Sequence, residues 1–152
     1  MAEEVIRLTL SQRQDYRFDT RFDDGLSLLA DEPPPLGAGS GPSPTQLLLA
    51  SVANCLTASL LFALRKHHEP EAPLLAEAEC EVDRNERGRL RVTGIAVTLR
   101  LGLPATDYGK LERILASFED FCTVSQSVAV GIPMRTTVID SLGAVLKTAN
   151  ES

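Results

Sequence analysis

The chain has 152 residues, of which 43% are hydrophobic, and these numbers predict one compact domain with its own core. Its formal net charge of -6 argues against nucleic acids and anionic membranes as partners. No secretory leader pattern opens the sequence, and three cysteines cannot all pair within one chain. We therefore expect a cytoplasmic protein whose thiols are free, metal-bound or redox-active rather than a structural disulfide framework.

The first third of the chain predicts three strands and a loop. Apolar and polar residues alternate over 5–10 and 16–22, and a turn signal, Asp-Asp-Gly, introduces a third strand over 26–30. Residues 31–42 hold four of the nine prolines and three glycines, a composition that predicts a loop. A loop of this length inside a compact domain is often functional, and we interpret it as a lid or an edge cover.

A long apolar helix follows this loop. The stretch 43–46, Ser-Pro-Thr-Gln, predicts its start, because Ser43 can cap the helix and Gln46 completes a capping box. The helical pattern continues to about Lys66, and residues 47–64 carry no charge. At ~1.5 Å per residue the helix is roughly 34 Å long. Such a helix is either buried on all sides or spans a membrane, and we expect a central helix buried in a dimer.

The second half predicts two strands joined by a turn, then two helices and a final strand. Thr106 or Asp107 is expected to cap the first of these helices. The elements are expected at residues 76–84, 90–101, 104–121, 122–130 and 134–139. The whole order, β-β-β-α-β-β-α-α-β, indicates an α+β fold with a mainly antiparallel sheet.

The three cysteines differ in their sequence surroundings. Cys80 lies on the apolar face of a predicted strand, which favours a structural core residue. Cys55 lies in the long helix, either as a small core residue or as a thiolate that attacks a peroxide. It is about three turns from the helix start, so the helix dipole cannot activate it and a cation from elsewhere is required. Cys122 is an N-cap, a buried residue, or a partner that condenses with an oxidised Cys55.

Arginines on the second predicted strand are the candidate cations. Arg17 and Arg21 carry guanidinium groups, which are always charged and can hold an anion with a fork of donors. The alternative is that both arginines line a solvated strand face. His67 and His68 lie roughly 18 to 20 Å from Cys55 along the helix axis, too far to act on it. The sequence contains no metal-ligand spacing, phosphate loop or dinucleotide fingerprint, so we expect neither a metal nor a bound cofactor.

Two motifs carry a family resemblance. The stretch 41–50, Gly-Pro-Ser-Pro-Thr-Gln-Leu-Leu-Leu-Ala, is followed by Asn54-Cys55, and the stretch 121–126, Phe-Cys-Thr-Val-Ser-Gln, contains the second thiol. Together with the loop before the helix and the strand order, they resemble the OsmC/Ohr family of osmotically inducible and organic-hydroperoxide-resistance proteins. The resemblance covers almost the whole chain. It implies a single OsmC/Ohr-like domain over 1–152, in an intertwined homodimer with two sites at the subunit interface.

The resemblance also implies a thiol-dependent peroxidase that reduces organic hydroperoxides in oxidative-stress defence. Cys55 is then the peroxidatic thiol, Cys122 the resolving thiol, and a dithiol, lipoyl-type in the family, the reductant. In the best-characterised members a glutamate orients a catalytic arginine, and the corresponding position here is Thr45. By position in the chain, Arg17 is the first candidate for that arginine and Arg21 the second.

Two other functions remain open at the level of sequence. One is a non-catalytic OsmC-like dimer that binds a small apolar ligand in the same pocket. It would retain a ligand on purification and turn over no peroxide. The other is a structural dimer with inert cysteines, whose three thiols would react slowly and without selectivity.

Overall fold

The computed structural model describes residues 1–151, which form seven strands and three α-helices. Their bounds are β1 Leu8–Gln14, β2 Arg17–Phe22, β3 Ser27–Ala30, α1 Pro44–Lys66, β4 Leu75–Arg84, β5 Leu90–Arg100, α2 Leu111–Ser117, α3 Thr123–Val128, β6 Met134–Ile139 and β7 Val145–Glu151. Single 3-10 turns lie at Ala105–Asp107 and Phe118–Phe121. The chain divides into two compact units, Met1–Leu48 and a second from Leu49 onward. The α+β class is confirmed, whereas the single domain stays a prediction.

The first unit contains the antiparallel sheet β1-β2-β3 and the predicted loop. The loop folds around the carboxylate of Asp31, which is 1% exposed. Asp31 Oδ2 accepts hydrogen bonds from the hydroxyl and the N–H of Ser40, at 2.7 and 3.0 Å, and from the Ala38 N–H at 3.2 Å. These bonds, the Ser40 hydroxyl first, lower the pKa of Asp31 to about 2. One carboxylate therefore fixes the loop, and its role as a lid stays a prediction.

Helix α1 has the predicted bounds and the predicted capping box. The Ser43 N–H donates to Gln46 Oε1 at 2.9 Å, and the Gln46 N–H donates to Ser43 Oγ at 3.2 Å. The buried residues of α1 share one face at intervals of four and are Val52, Leu56, Leu60 and Leu64. In the single chain one stripe of this spacing covers only one face of the helix, so the expected burial of α1 in a dimer stays a prediction. Phe62, on another face, is 65% exposed.

The second unit contains the sheet β4-β5-β6-β7. Its pairs are antiparallel except β5 with β6, which is parallel. That pair is parallel because α2 and α3 form a crossover between the two strands. Residues of α1, β5, α2 and β6 share one hydrophobic core, whose fully buried members include Leu56, Val97, Leu99, Ile114 and Val138.

The single long helix predicted after β5 is wrong, since α2 is short and 3-10 turns flank it. A carboxylate that is distant in sequence holds the backbone between the turn Ala105–Asp107 and α2. Buried Glu69 accepts hydrogen bonds from the N–H groups of Gly109 and Lys110, at 2.9 and 2.7 Å. The predicted caps, Thr106 and Asp107, lie in the 3-10 turn instead.

Two strands also differ from the expectation. β1 begins at Leu8 rather than at residue 5, because its ladder with β2 starts at the pair Leu8 and Phe22. β7 was not predicted at all. The turn Asp140-Ser-Leu-Gly before it is a hairpin signal that could have revealed it.

Candidate active site

The two thiols of the family motifs come together in the second unit. Cys55 lies on α1 and is half-buried. Cys122 directly precedes α3 in the sequence and is fully buried. Both thiols are free. Burial and a side-chain hydrogen bond with Cys55 raise the pKa of the Cys122 thiol above its usual range, burial having the larger effect. Both effects favour the protonated form of Cys122.

Local structure fixes the backbone of Cys122. The residue joins the 3-10 turn Phe118–Phe121 to α3, and its Sγ accepts a hydrogen bond from the Ser125 N–H at 3.4 Å. Its own N–H donates to the Glu119 carbonyl at 3.0 Å. Cys122 is therefore both the N-cap of α3 and a buried residue, the two structural alternatives that the sequence left open.

The third thiol has the surroundings that its strand pattern predicts. Cys80 lies on β4 opposite Ile95 of β5 and packs, half-buried, against the core. It therefore has the surroundings of a small core residue.

The candidate arginines both lie on β2 in the first unit, four positions apart on one face of the strand. Arg17 is half-buried, and within residues 1–151 its Nε is buried without a hydrogen-bond partner. Arg21 is exposed and pairs in register with Thr9 and Ser27. The cysteines belong to the second unit, so the action of either arginine on Cys55 stays a prediction.

The position of the family glutamate, Thr45, is half-buried in the first turn of α1. The neighbouring Gln46 does not take the place of that glutamate, because its amide oxygen already accepts the Ser43 N–H. Among residues 1–151, no group of three or more histidine, cysteine, aspartate or glutamate side chains could hold a metal ion.

A buried ion pair next to Cys122 was missed by the sequence reasoning. Lys147 Nζ lies 3.0 Å from Glu119 Oε2, with side chains 22% and 8% exposed. Burial raises the pKa of Glu119, and the hydrogen bond from Lys147 opposes that shift. No local pattern predicts this pair, because each residue alone is typical of an exposed charge.

Comparisons with known proteins agree with the fold. Residues 37–137 match the family described as OsmC-like protein. A search of curated proteins finds no match. An OsmC-like protein of unknown function from Vibrio cholerae O1 biovar eltor str. N16961 has a similar structure, with a TM-score of 0.72 and 19% identity over 91% of this chain and 100% of that one.

Two other similar solved structures are of proteins named for organic hydroperoxide resistance. An organic hydroperoxide resistance protein OsmC from Legionella pneumophila has a TM-score of 0.69 and 18% identity, covering 91% of this chain and 98% of that one. The organic hydroperoxide resistance protein OhrB of Bacillus subtilis has a TM-score of 0.66 and 19% identity, covering 90% of this chain and 99% of that one. At such low identity these likenesses show the fold alone. Because the family match extends over more than half of the sequence, the chain belongs to the OsmC-like family.

Proposed function

We propose that the chain is a thiol-dependent peroxidase that reduces organic hydroperoxides. The observation that carries this proposal is the close approach of the thiols of Cys55 and Cys122, near enough for Cys55 to raise the pKa of Cys122, although the two residues come from different helical segments. Two neighbouring thiols can reduce a peroxide and are themselves oxidised to a disulfide. The family membership and the neighbours named for hydroperoxide resistance support the same chemistry.

The proposed cycle has three balanced steps. The Cys55 thiolate attacks the terminal oxygen of ROOH, the O–O bond breaks, and the alkoxide leaves and takes up a proton as ROH. Cys55 is then a sulfenic acid. The Cys122 sulfur attacks the Cys55 sulfur, an S–S bond forms, and the sulfenic oxygen leaves as water. An external dithiol, lipoyl-type in the family, reduces the disulfide to two thiols and becomes a disulfide itself.

The two cysteines are suited to different roles. Cys55 is the more accessible of the pair, so a substrate can reach it without disrupting the core. Cys122 is fully buried and its pKa is raised, which keeps it protonated until Cys55 has been oxidised. The apolar side chains around Cys55 in α1 favour alkyl hydroperoxides over hydrogen peroxide.

We also propose Arg17 rather than Arg21 as the cation that stabilises the Cys55 thiolate. Arg17 has a buried Nε that is not engaged within the described residues, whereas Arg21 is exposed. A buried guanidinium donor without a partner is costly unless an anion uses it. With Thr45 in place of the family glutamate, no carboxylate at that position orients the arginine.

A homodimer completes the proposal. Only 22% of the most apolar stretch of α1 is buried in the single chain, although its mean hydropathy is 2.1. A helix of this length and hydropathy could also span a membrane, but the core helices of soluble proteins share both properties. The buried face of α1 belongs to the core that includes β5, which favours a core helix covered by a second copy of the chain. Free thiols favour a reducing compartment such as the cytoplasm.

Consumption of tert-butyl hydroperoxide in the presence of dihydrolipoamide tests the activity. We expect the wild type to be active, Cys55→Ser to be inactive, and the matched control Cys80→Ser to keep the wild-type rate. A Cys55→Ser protein with the wild-type rate would disprove the proposal. An inactive wild type that retains a small apolar compound on purification would instead support the ligand-binding dimer.

A further inference from the structure

A lysine on β7 turns toward the interior of the second unit. Lys147 lies opposite Val138, a fully buried residue of β6, and its side chain is 22% exposed. Lysine is rarely placed in this way without a partner. Here the ammonium group donates to the carbonyl of Leu115 and to the carboxylate of Glu119, and it lies 5.7 Å from the centroid of the Phe118 ring.

These contacts hold the end of one helix and the start of the next turn. Leu115 lies in the last turn of α2, where carbonyl groups lack partners within the helix and a cation is favourable. Glu119 lies in the 3-10 turn Phe118–Phe121 that follows. Lys147 therefore ties β7 to both segments at their junction.

The same turn holds the buried thiol. The Glu119 carbonyl accepts hydrogen bonds from the Cys122 N–H at 3.0 Å and from Gln126 Nε2 at 3.1 Å. Glu119 thus contacts Lys147 through its carboxylate and Cys122 through its backbone. A single residue, Glu119, therefore links the ammonium group of Lys147 to the backbone of Cys122.

Stability alone does not account for the ion pair. Glu119 is buried, and within the described residues its Oε1 has no hydrogen-bond partner. Desolvation can exceed the attraction in a pair of this kind, and apolar replacements are often as stable. A charged pair instead fixes the orientation of one side chain relative to another. Here the pair fixes the 3-10 turn Phe118–Phe121, which leads directly into Cys122.

We propose that Lys147 is a positioning residue that sets Cys122 at the distance from which it closes a disulfide with Cys55. The inference rests on the proposed function. Disulfide closure requires an S–S bond of about 2.05 Å with a narrow dihedral range, so it depends on where the turn is held. Cys122 forms and breaks no bond when Cys55 attacks a peroxide. Lys147 therefore acts chiefly on the second chemical step, the closure of the disulfide.

Rapid acid quench and mass spectrometry separate the two steps, a method chosen because the chain has no tryptophan to report on them. After mixing with tert-butyl hydroperoxide, Lys147→Met is expected to form the Cys55 sulfenic acid at the wild-type rate. Its disulfide should close at least ~10-fold more slowly, because a shift of ~1 Å in a reacting group can cost about 10²-fold. Lys147→Arg should restore closure. Arg135→Met, which removes an exposed cation from the neighbouring strand, should have no effect. Unchanged closure in Lys147→Met would overturn the proposal.

A second arm uses no peroxide, so it separates this inference from the proposed function. Wild type and variants are equilibrated with reduced and oxidised dithiothreitol, and the fraction of Cys55–Cys122 disulfide is measured. Lys147→Met should lower the equilibrium constant by ~10-fold, and an unchanged constant would contradict the positioning role. If Lys147→Met does not fold, Glu119→Gln serves instead, since it keeps the shape of the turn and removes its charge. It should weaken closure in the same direction, and wild-type behaviour of a folded Glu119→Gln would reject the inference.

Discussion

Cys122 is fully buried, and its thiol interacts with that of the half-buried Cys55, although the two cysteines lie far apart in the sequence. Burial removes the Cys122 thiol from solvent and raises its pKa, so it has little thiolate at neutral pH. The two thiols of the pair therefore differ in their access to solvent.

This difference predicts the order of alkylation in the folded protein. Iodoacetamide should modify Cys122 at least ~10-fold more slowly than Cys55, because only a thiolate reacts and burial blocks its formation. Peptide mass spectrometry over a time course gives the rate at each cysteine. Equal rates at all three cysteines in the native state would instead match a structural dimer with inert thiols, and unfolding in urea should make the rates equal.

The two arginines of β2 provide a matched pair of variants. Arg17→Gln should lower kcat/KM for an alkyl hydroperoxide by about 10²-fold, the usual loss when one preorganised donor is removed from a developing charge. Arg21→Gln should stay close to the wild type, because Arg21 is exposed on the same strand. Steady-state assays with a dithiol reductant measure both. The reverse ranking would move the catalytic role to Arg21.

The elements that the sequence predicted well are those encoded locally. The start of α1 follows from Ser43 and Gln46, which make their capping bonds with each other. The break after β5 was missed because the acceptor that causes it, Glu69, lies far away in the sequence. Local periodicity contains no information about a carboxylate from a distant segment.

The candidate site was likewise predicted only in part. The pairing of Cys55 with Cys122 came from a family resemblance, because neither spacing nor composition brings two distant thiols together. The contact of Lys147 with Glu119 had no family pattern to reveal it, and each residue alone is typical of an exposed charge. Such pairs become visible only when the packing of β7 against the Cys122 turn is known.

Asp31 gives the loop of the first unit a predictable response to acid. Its pKa in the folded state, about 2, lies below the ordinary value of 3.8, so the stability it contributes is complete above pH 3.8 and is lost as the pH falls toward 2. Asp31→Asn should lower Tm at pH 6, and the difference from wild type should shrink between pH 3.8 and 2. Ser40→Ala removes the largest cause of the low pKa, so the stability that Asp31 contributes should be smaller and its loss should be complete at a higher pH than in the wild type. A Tm difference that is constant over this range would contradict the assignment.

Glu69 and Glu71 separate a buried cap from an exposed ion pair. Glu69→Ala should lower the free energy of unfolding by ~2 kcal/mol, because the N–H groups of Gly109 and Lys110 lose their acceptor. Glu71→Ala breaks an ion pair with Arg65 in which both side chains are more than half exposed, and it should cost less than ~0.5 kcal/mol. Urea unfolding measures both variants. Equal losses would show that Glu69 does not cap α2.

The two faces of α1 should respond to mutation in different assays. Leu60 is fully buried in the core of the chain, so Leu60→Ala should lower the stability by ~3 kcal/mol at any protein concentration. Phe62 is 65% exposed in the single chain, so Phe62→Asp should leave that core intact and weaken self-association by about tenfold or more. Sedimentation velocity over a concentration series measures the association, and urea unfolding measures the stability. A wild type that stays monomeric throughout the series would disprove the dimer, and a Phe62→Asp protein that associates normally would place the interface elsewhere.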